Sequence, residues 1–208
     1  MDSSTPPAET QGFESHEEYS ETHFTRVQFD NDRLVRAEFY DCVFSHCSMR
    51  ESVFQECKFN DCTFEDCDLS LVRFEASTFS DTRFERSQVI GVNWTLAAWS
   101  KFQSDAAIAF EECAIDFSAF IGLRLRKFAV KKCSAQEVEF SEADLSVADF
   151  SGSDLAKSRF QNTNLTKANF EGARNYTIDL TTSNVTKAKF ALPEALSLLY
   201  GLDIVLVD

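Results

Sequence analysis

Seven cysteines, three histidines and 34 carboxylates are the side chains whose chemistry could extend beyond packing. Cys42, Cys47, Cys57, Cys62, Cys67, Cys113 and Cys133 could in principle ligate a metal, form disulfides or act as nucleophiles. The sequence lacks the C-x2-C spacing with histidine partners that a zinc site needs. His16, His23 and His46 stand in no recognisable arrangement with a Cys or Ser nucleophile. The six glycines build no phosphate-cradling loop. The residue types therefore point to a non-catalytic protein with no metal and no cofactor.

The cysteines make sense once the positions around them are read. A large apolar residue recurs every fifth position: Phe24, Phe29, Leu34, Phe39, Phe44, Met49, and so on to Trp99. It resumes from Phe110 through Ile115, Phe120 and Leu125 to Phe190, with Asn175 as a break. Helices repeat at 3.6 residues and strands at 2.0, so a period of five describes a solenoid. All seven cysteines lie two residues before such a position. That slot is otherwise filled by small residues such as Ala37, Ser52, Ser77, Ala143 and Ser153. A thiol there acts as a small inward side chain. Most of the 21 Phe lie on the beat and are core residues.

The repeat divides the chain. Residues 1–21 carry Ser, Thr, Pro and Glu without the beat and read as a disordered or loosely attached leader. Residues 22–191 carry the repeats. The step from Trp99 to Phe110 is eleven residues, which is read as two repeats plus one extra residue, a short interruption around 100–109 with Ser100, Lys101, Gln103 and Asp105 on it. Residues 192–208 read as a short helix, with Pro193 first and Gly201 as its stop, followed by a closing strand. Leu192, Leu196 and Leu199 share one face of that helix, with Tyr200 and Leu202 beside them. This end either shields the last coil or serves as a dimerisation surface. No stretch has signal-peptide character or the length to cross a bilayer, so a cytoplasmic protein with no membrane contact is expected.

Ala143-Asp144-Leu145-Ser146-Val147-Ala148-Asp149-Phe150, continued by Asn164-Leu165 and Ala168-Asn169-Phe170, resembles the A(D/N)LXX pattern of pentapeptide-repeat proteins. The resemblance covers about residues 22–190. It implies an all-β fold, a right-handed quadrilateral β-helix of about eight coils with a short C-terminal helical cap. At roughly 4.8 Å per coil such a rod is about 40 Å long. Within the family, the Phe-rich and Cys-rich first coils, the central interruption and the Leu196-Ser197-Leu198-Leu199 ending are most similar to the Qnr and MfpA branch. That branch implies a DNA mimic that binds a type II topoisomerase, DNA gyrase, protects it from quinolones, and forms a homodimer through the C-terminal cap. This chain departs from the enteric Qnr pattern, which has two long projecting loops. The alternative is an interaction scaffold for some other protein.

Charge sets the rest. The net charge of −14 opposes direct contact with nucleic acid and suits a basic partner or simple solubility. B-DNA carries one charge per about 1.7 Å, so a coil would need about three negative charges to match it. Residues 56–75 reach that density with Glu56, Asp61, Glu65, Asp66, Asp68 and Glu75 against Lys58 and Arg73. At a spacing of one coil, Asp41, Asp61 and Asp81 stack as an outward column and Glu65 lies beside Glu85. Such a column is either a functional acidic face or a tolerated, solvated corner. Lys127, Lys167 and Lys187 align on a corner of their own, with Val147 between them.

Overall fold

In the computed structural model, which describes residues 12–100, 105–202 and 204, the chain winds into a parallel solenoid of about eight four-sided coils. Neighbours along the axis are twenty residues apart, except across one break where the step is twenty-six. Face 1 stacks Glu18–Ser20, Glu38–Tyr40, Lys58–Asn60 and Thr78–Ser80. Face 2 stacks six strands from His23–Thr25 to Ala129–Lys131. Face 3 is a ladder of single bridges from Gln28 through Ser48, Asp68 and Gln88 to Arg174. Face 4 begins with Arg33–Val35, Val53–Gln55 and Arg73–Glu75.

One pentapeptide makes one side and one corner. The beat residue and the small residue two before it point inward, and the residues on either side of the beat residue point out. The residue two after the beat turns the corner in the left-handed region, at φ 52° for Asp41, 51° for Asp61 and 63° for Val147. Left-handed backbone is costly for a residue with a Cβ, and most of all for a branched one. The corner amides offset that cost by donating to the next coil, as Asp41 N–H does to Asn60 O at 3.0 Å and Val147 N–H does to Thr166 O at 2.8 Å.

The interior is a set of aromatic stacks. Phe44 and Phe64 lie 4.5 Å apart at 7°, Phe64 and Phe84 4.9 Å apart at 7°, and Phe84 and Phe110 5.0 Å apart at 18°. Rings on adjacent faces meet edge-on, as in Phe39–Phe44 at 71°. The small slot does more than save space. Ser77 Oγ donates to Phe54 O at 2.8 Å and accepts from Cys57 N–H at 3.0 Å, so a buried hydroxyl bridges two coils. Cys67 does the same with sulfur, donating to Phe44 O at 3.3 Å and accepting from Cys47 N–H at 3.4 Å. All seven thiols are free and buried. Burial pushes the Cys57 thiol up to about 11.

Three features differ from the sequence reading. The described part of the expected leader belongs to the first coil, because Glu18–Ser20 pairs with Glu38–Tyr40 and Phe13 is buried against Phe24 and Phe39, and residues 1–11 lie outside the described residues. These residues are polar in composition but belong to the first coil.

The interruption is also not one extra residue. Ala98 N–H still bonds Ser77 O, yet Thr82 pairs with Ile108 and Phe84 with Phe110, a step of twenty-six. Six additional residues therefore fall at one corner, between Ser100 and Ala107. Residues 101–104, including the expected loop residues Lys101 and Gln103, lie outside the described residues.

The C-terminal segment is a 3-10 helix, Glu194–Gly201, with Pro193 before it as the N-cap and Leu202 as the C-cap. Gly201 is therefore inside the helix and not its left-handed stop. Among the described side chains of this segment Leu198 is the buried one, whereas Leu192 is 78% and Leu196 46% exposed. At the break in the beat, Asn175 turns outward with φ 60° and Tyr176 fills the interior, contacting Phe170 and Phe190. The closing strand expected after Gly201 falls almost wholly outside the described residues.

Phe84→Ala is expected to cost about 3–5 kcal/mol, since it empties a fully buried ring site between Phe64 and Phe110. Chemical denaturation against the parent protein measures it. Val147→Asn removes a β-branched residue from the left-handed region and is expected to stabilise the fold by about 1 kcal/mol, read as a rise in Tm. The seven thiols should resist a thiol reagent in the native protein and react together only in denaturant.

Candidate protein-interaction edge

The corner between faces 1 and 2 carries the aspartate column. Asp41, Asp61 and Asp81 are exposed, share the left-handed conformation and succeed one another by backbone bonds, from Asp41 N–H to Asn60 O and from Asp61 N–H to Ser80 O. Glu21 extends the column by one coil, its N–H bonding Tyr40 O at 2.9 Å. Sequence reasoning left Glu21 in the leader. The signal that would have found it is its place twenty residues before Asp41. None of these four carboxylates forms an ion pair among the described residues.

The other acids of the dense coil are placed differently. Glu56 lies on the corner before face 1 and pairs with Arg36 at 2.8 Å. Asp66 lies on the corner after face 2 and meets Arg86 at 3.2 Å. The same Arg86 takes Glu65 at 3.7 Å and Glu85 at 3.3 Å, both on face 2. Asp68 points from face 3 to Arg50 at 3.4 Å. The six acids of residues 56–75 thus radiate around the perimeter, and most meet an arginine. Their density per coil does not become density per face. What stays uncompensated on one line is Glu21, Asp41, Asp61 and Asp81.

The insertion falls at this same corner. Asp105, where the described chain resumes, holds Lys127 Nζ at 2.7 Å and lies 3.9 Å from Arg126. Ser100 closes the preceding side. Because the insertion is six residues, the corner runs on from Asp81 to Ala107 and Lys127, and then through Val147 and Lys167 to Lys187. The lysine column is the continuation of the aspartate column.

At the C-terminal end Leu199 and Leu202 are half-buried, and Leu192, Leu196 and Ile204 (51%) are exposed. Tyr200 lies within the 3-10 helix. Ser197 Oγ donates to Tyr176 O at 3.1 Å and Asn175 N–H donates to Glu194 Oε1 at 2.6 Å, so the segment is docked on the last coil. Among the described residues no group of three His, Cys, Asp or Glu could hold a metal ion, and no helix is long and apolar enough to cross a membrane.

Comparison with known proteins places this geometry. The pentapeptide repeat region family matches residues 37–116, and the pentapeptide repeats family, in eight copies, matches residues 133–172. No curated protein matches the chain. Among solved structures the fold is similar to a trypsin-treated variant of QnrB1, a plasmid-mediated fluoroquinolone resistance protein. That match has a TM-score of 0.51 at 18% identity and covers 92% of this chain and 99% of the other. HetL, a pentapeptide repeat protein involved in heterocyst differentiation regulation from the cyanobacterium Nostoc sp. Strain PCC 7120, matches at TM-score 0.40 and 18% identity, covering 85% of each chain. With two family models laid over the coils seen in the structure, the chain belongs to the pentapeptide-repeat family.

Proposed function

We propose that this protein is a non-catalytic, cytoplasmic DNA mimic that binds a type II topoisomerase, DNA gyrase, and protects it from quinolone-like inhibitors. The observation that carries the reading is the uncompensated column of Glu21, Asp41, Asp61 and Asp81. Four carboxylates one coil apart, about 4.8 Å, approach the 3.4 Å charge spacing along one strand of B-DNA. Left unpaired on a rigid backbone, they are free to meet a basic groove without first breaking internal ion pairs. The fold likeness to QnrB1, a fluoroquinolone resistance protein, supports this choice of partner class. A homodimer through the exposed Leu192, Leu196 and Ile204 at the C-terminal end completes the reading, because two rods end to end would double the length of the mimic.

A second reading, a scaffold for a different protein, draws on an apolar patch where faces 3 and 4 meet. Leu71 is 52%, Phe117 61% and Ile121 45% exposed. Leu71 and Phe117 lie on one corner with only Gly91 between them, and Leu71 leans over that glycine.

A gyrase supercoiling assay containing a quinolone separates the readings: rescue of activity by this protein is expected, and absence of both rescue and gyrase binding would refute the first. Asp41→Asn, Asp61→Asn and Asp81→Asn combined should weaken partner binding about tenfold or more while the far-UV spectrum and Tm hold, since removing stacked like charges does not destabilise the fold. Unchanged affinity would remove the column from the mechanism.

A further inference from the structure

Face 4 carries a band without charge. Residues 91–96 and 117–122, Gly-Val-Asn-Trp-Thr-Leu and Phe-Ser-Ala-Phe-Ile-Gly, form this side and both its corners in two consecutive coils, joined by the Asn93–Ala119 bridge. Neither run holds a charged residue, in a chain that is 26% charged. Phe117, Ile121 and Leu96 (42%) are exposed there, and Leu71 reaches into the same patch by leaning over Gly91. Thr95 N–H and hydroxyl both donate to Asn93 Oδ1, at 3.1 and 2.7 Å, so covering the band leaves both paired.

We propose that a second copy of the chain docks on this band, face 4 against face 4 and antiparallel. An end-for-end turn about the boundary between the two charge-free coils lays one upon the other. It sets Phe117 over Gly91 and Leu96 over Gly122 of the second copy, so each large side chain meets a glycine, and each contact occurs twice by symmetry.

The coils beyond the band agree with this register. Arg73 comes opposite Glu139 of the second copy and Glu51 opposite its Lys157, and no like charges face each other directly between Glu51 and Asn162. Leu71 comes opposite Glu137, whose charge Lys157 of its own chain offsets at 3.1 Å. Moving the turn by half a coil either way opposes Glu51 to Glu137 or Arg73 to Arg159. A parallel arrangement opposes Glu51 to Glu56 and Glu137 to Glu142. Charge therefore selects the register that the apolar band requires, and it names the chain itself as the occupant.

The acidic column stands on the opposite edge of the rod, between faces 1 and 2, and the C-terminal end lies several coils away. Docking on face 4 leaves both free. Homodimers joined through their C-terminal ends can thus also pair side by side, giving tetramers and longer chains. A contact one side wide falls short of the roughly 800 Å² per partner of a stable interface, so this face by itself associates weakly and reversibly. The proposal stands whether or not the basic partner is a topoisomerase.

Cross-linking of the full chain tests it. Gln55 and Gln161 face each other across the interface, yet on one chain they stand five coils apart, about 24 Å. The seven native thiols are buried, so a short bismaleimide reads introduced cysteines. An equimolar mixture of Gln55→Cys and Gln161→Cys is expected to give a covalent dimer on a denaturing gel, at least tenfold more than either variant alone. Adding Phe117→Asp to both should lower the yield about tenfold, since it places a charge in the apolar contact. Asp suits a left-handed corner, as at Asp41, and thermal unfolding checks that the variant is folded. Leu192→Asp, at the C-terminal end, should leave the yield unchanged. No cross-link from the mixture leaves the patch to another protein and overturns the proposal. A cross-link equally strong in the single variants, or insensitive to Phe117→Asp, overturns it too, as does one lost with Leu192→Asp, which places the contact at the C-terminal end.

Discussion

One large side chain must reach the rod axis from every side of every coil. That packing requirement, combined with a hydrogen-bonded rise of about 4.8 Å, dictates the rest. Four interior positions per coil leave room for rings only if each lies flat on its equivalent in the next coil, as Phe44, Phe64 and Phe84 do. The slot between successive rings is then filled mostly by Cys, Ser, Thr, Ala or Val, and where it takes a ring, at Phe128, the beat position that follows is the smaller Val130. The corners must turn within one residue, which forces the left-handed backbone at Asp41, Leu71, Phe117 and Val147 irrespective of side chain. Strain at the corners is tolerated because ring stacking and the amide ladder repeat at every level.

The same constraint makes the surface a lattice. Each outward residue has a fixed address, a side or corner and a level, so charge composition becomes charge geometry. Arg86 gathers Glu65, Asp66 and Glu85 because a corner residue reaches its own side and the coil before it. Asp41 and Asp61 have no such neighbour, since the residues around them on this corner are Tyr40, Asn60 and Ser80. Compensation is local, and the column stands out because it lacks it.

Much of this was legible in the sequence because period five survives any amount of local variation. The inward fate of the cysteines and the stacking of the aspartates required only counting. What counting could not supply was the backbone role of the small slot, where Ser77 and Cys67 were picked for a hydrogen bond as well as for size. It also failed where polar residues join the first coil, since Glu18 and Ser20 pair in a strand without advertising it. The 3-10 character of the last segment was hidden as well, because Leu192, Leu196 and Leu199 satisfy an α-helical face on paper while Leu198 is the residue that packs.

The most consequential misreading was the insertion. Eleven residues from Trp99 to Phe110 admit two short sides with one residue over, or one side with six over. Under the first, Asp81 leads on to Gly122 and Glu142, and the lysines fall in line with Asp66 and Arg86. Under the second, which the Phe84–Phe110 stack enforces, Asp81 leads to Lys127. A quarter turn of the C-terminal coils therefore decides whether the rod has one edge of opposed halves or two unrelated corners. The sequence did hold the clue: neither Ser104 nor Asp105 could serve as an interior residue, so no side could have been built between Trp99 and Phe110. The packing rule that locates the core thus also fixes which charges share an edge, and through that edge what the rod can bind.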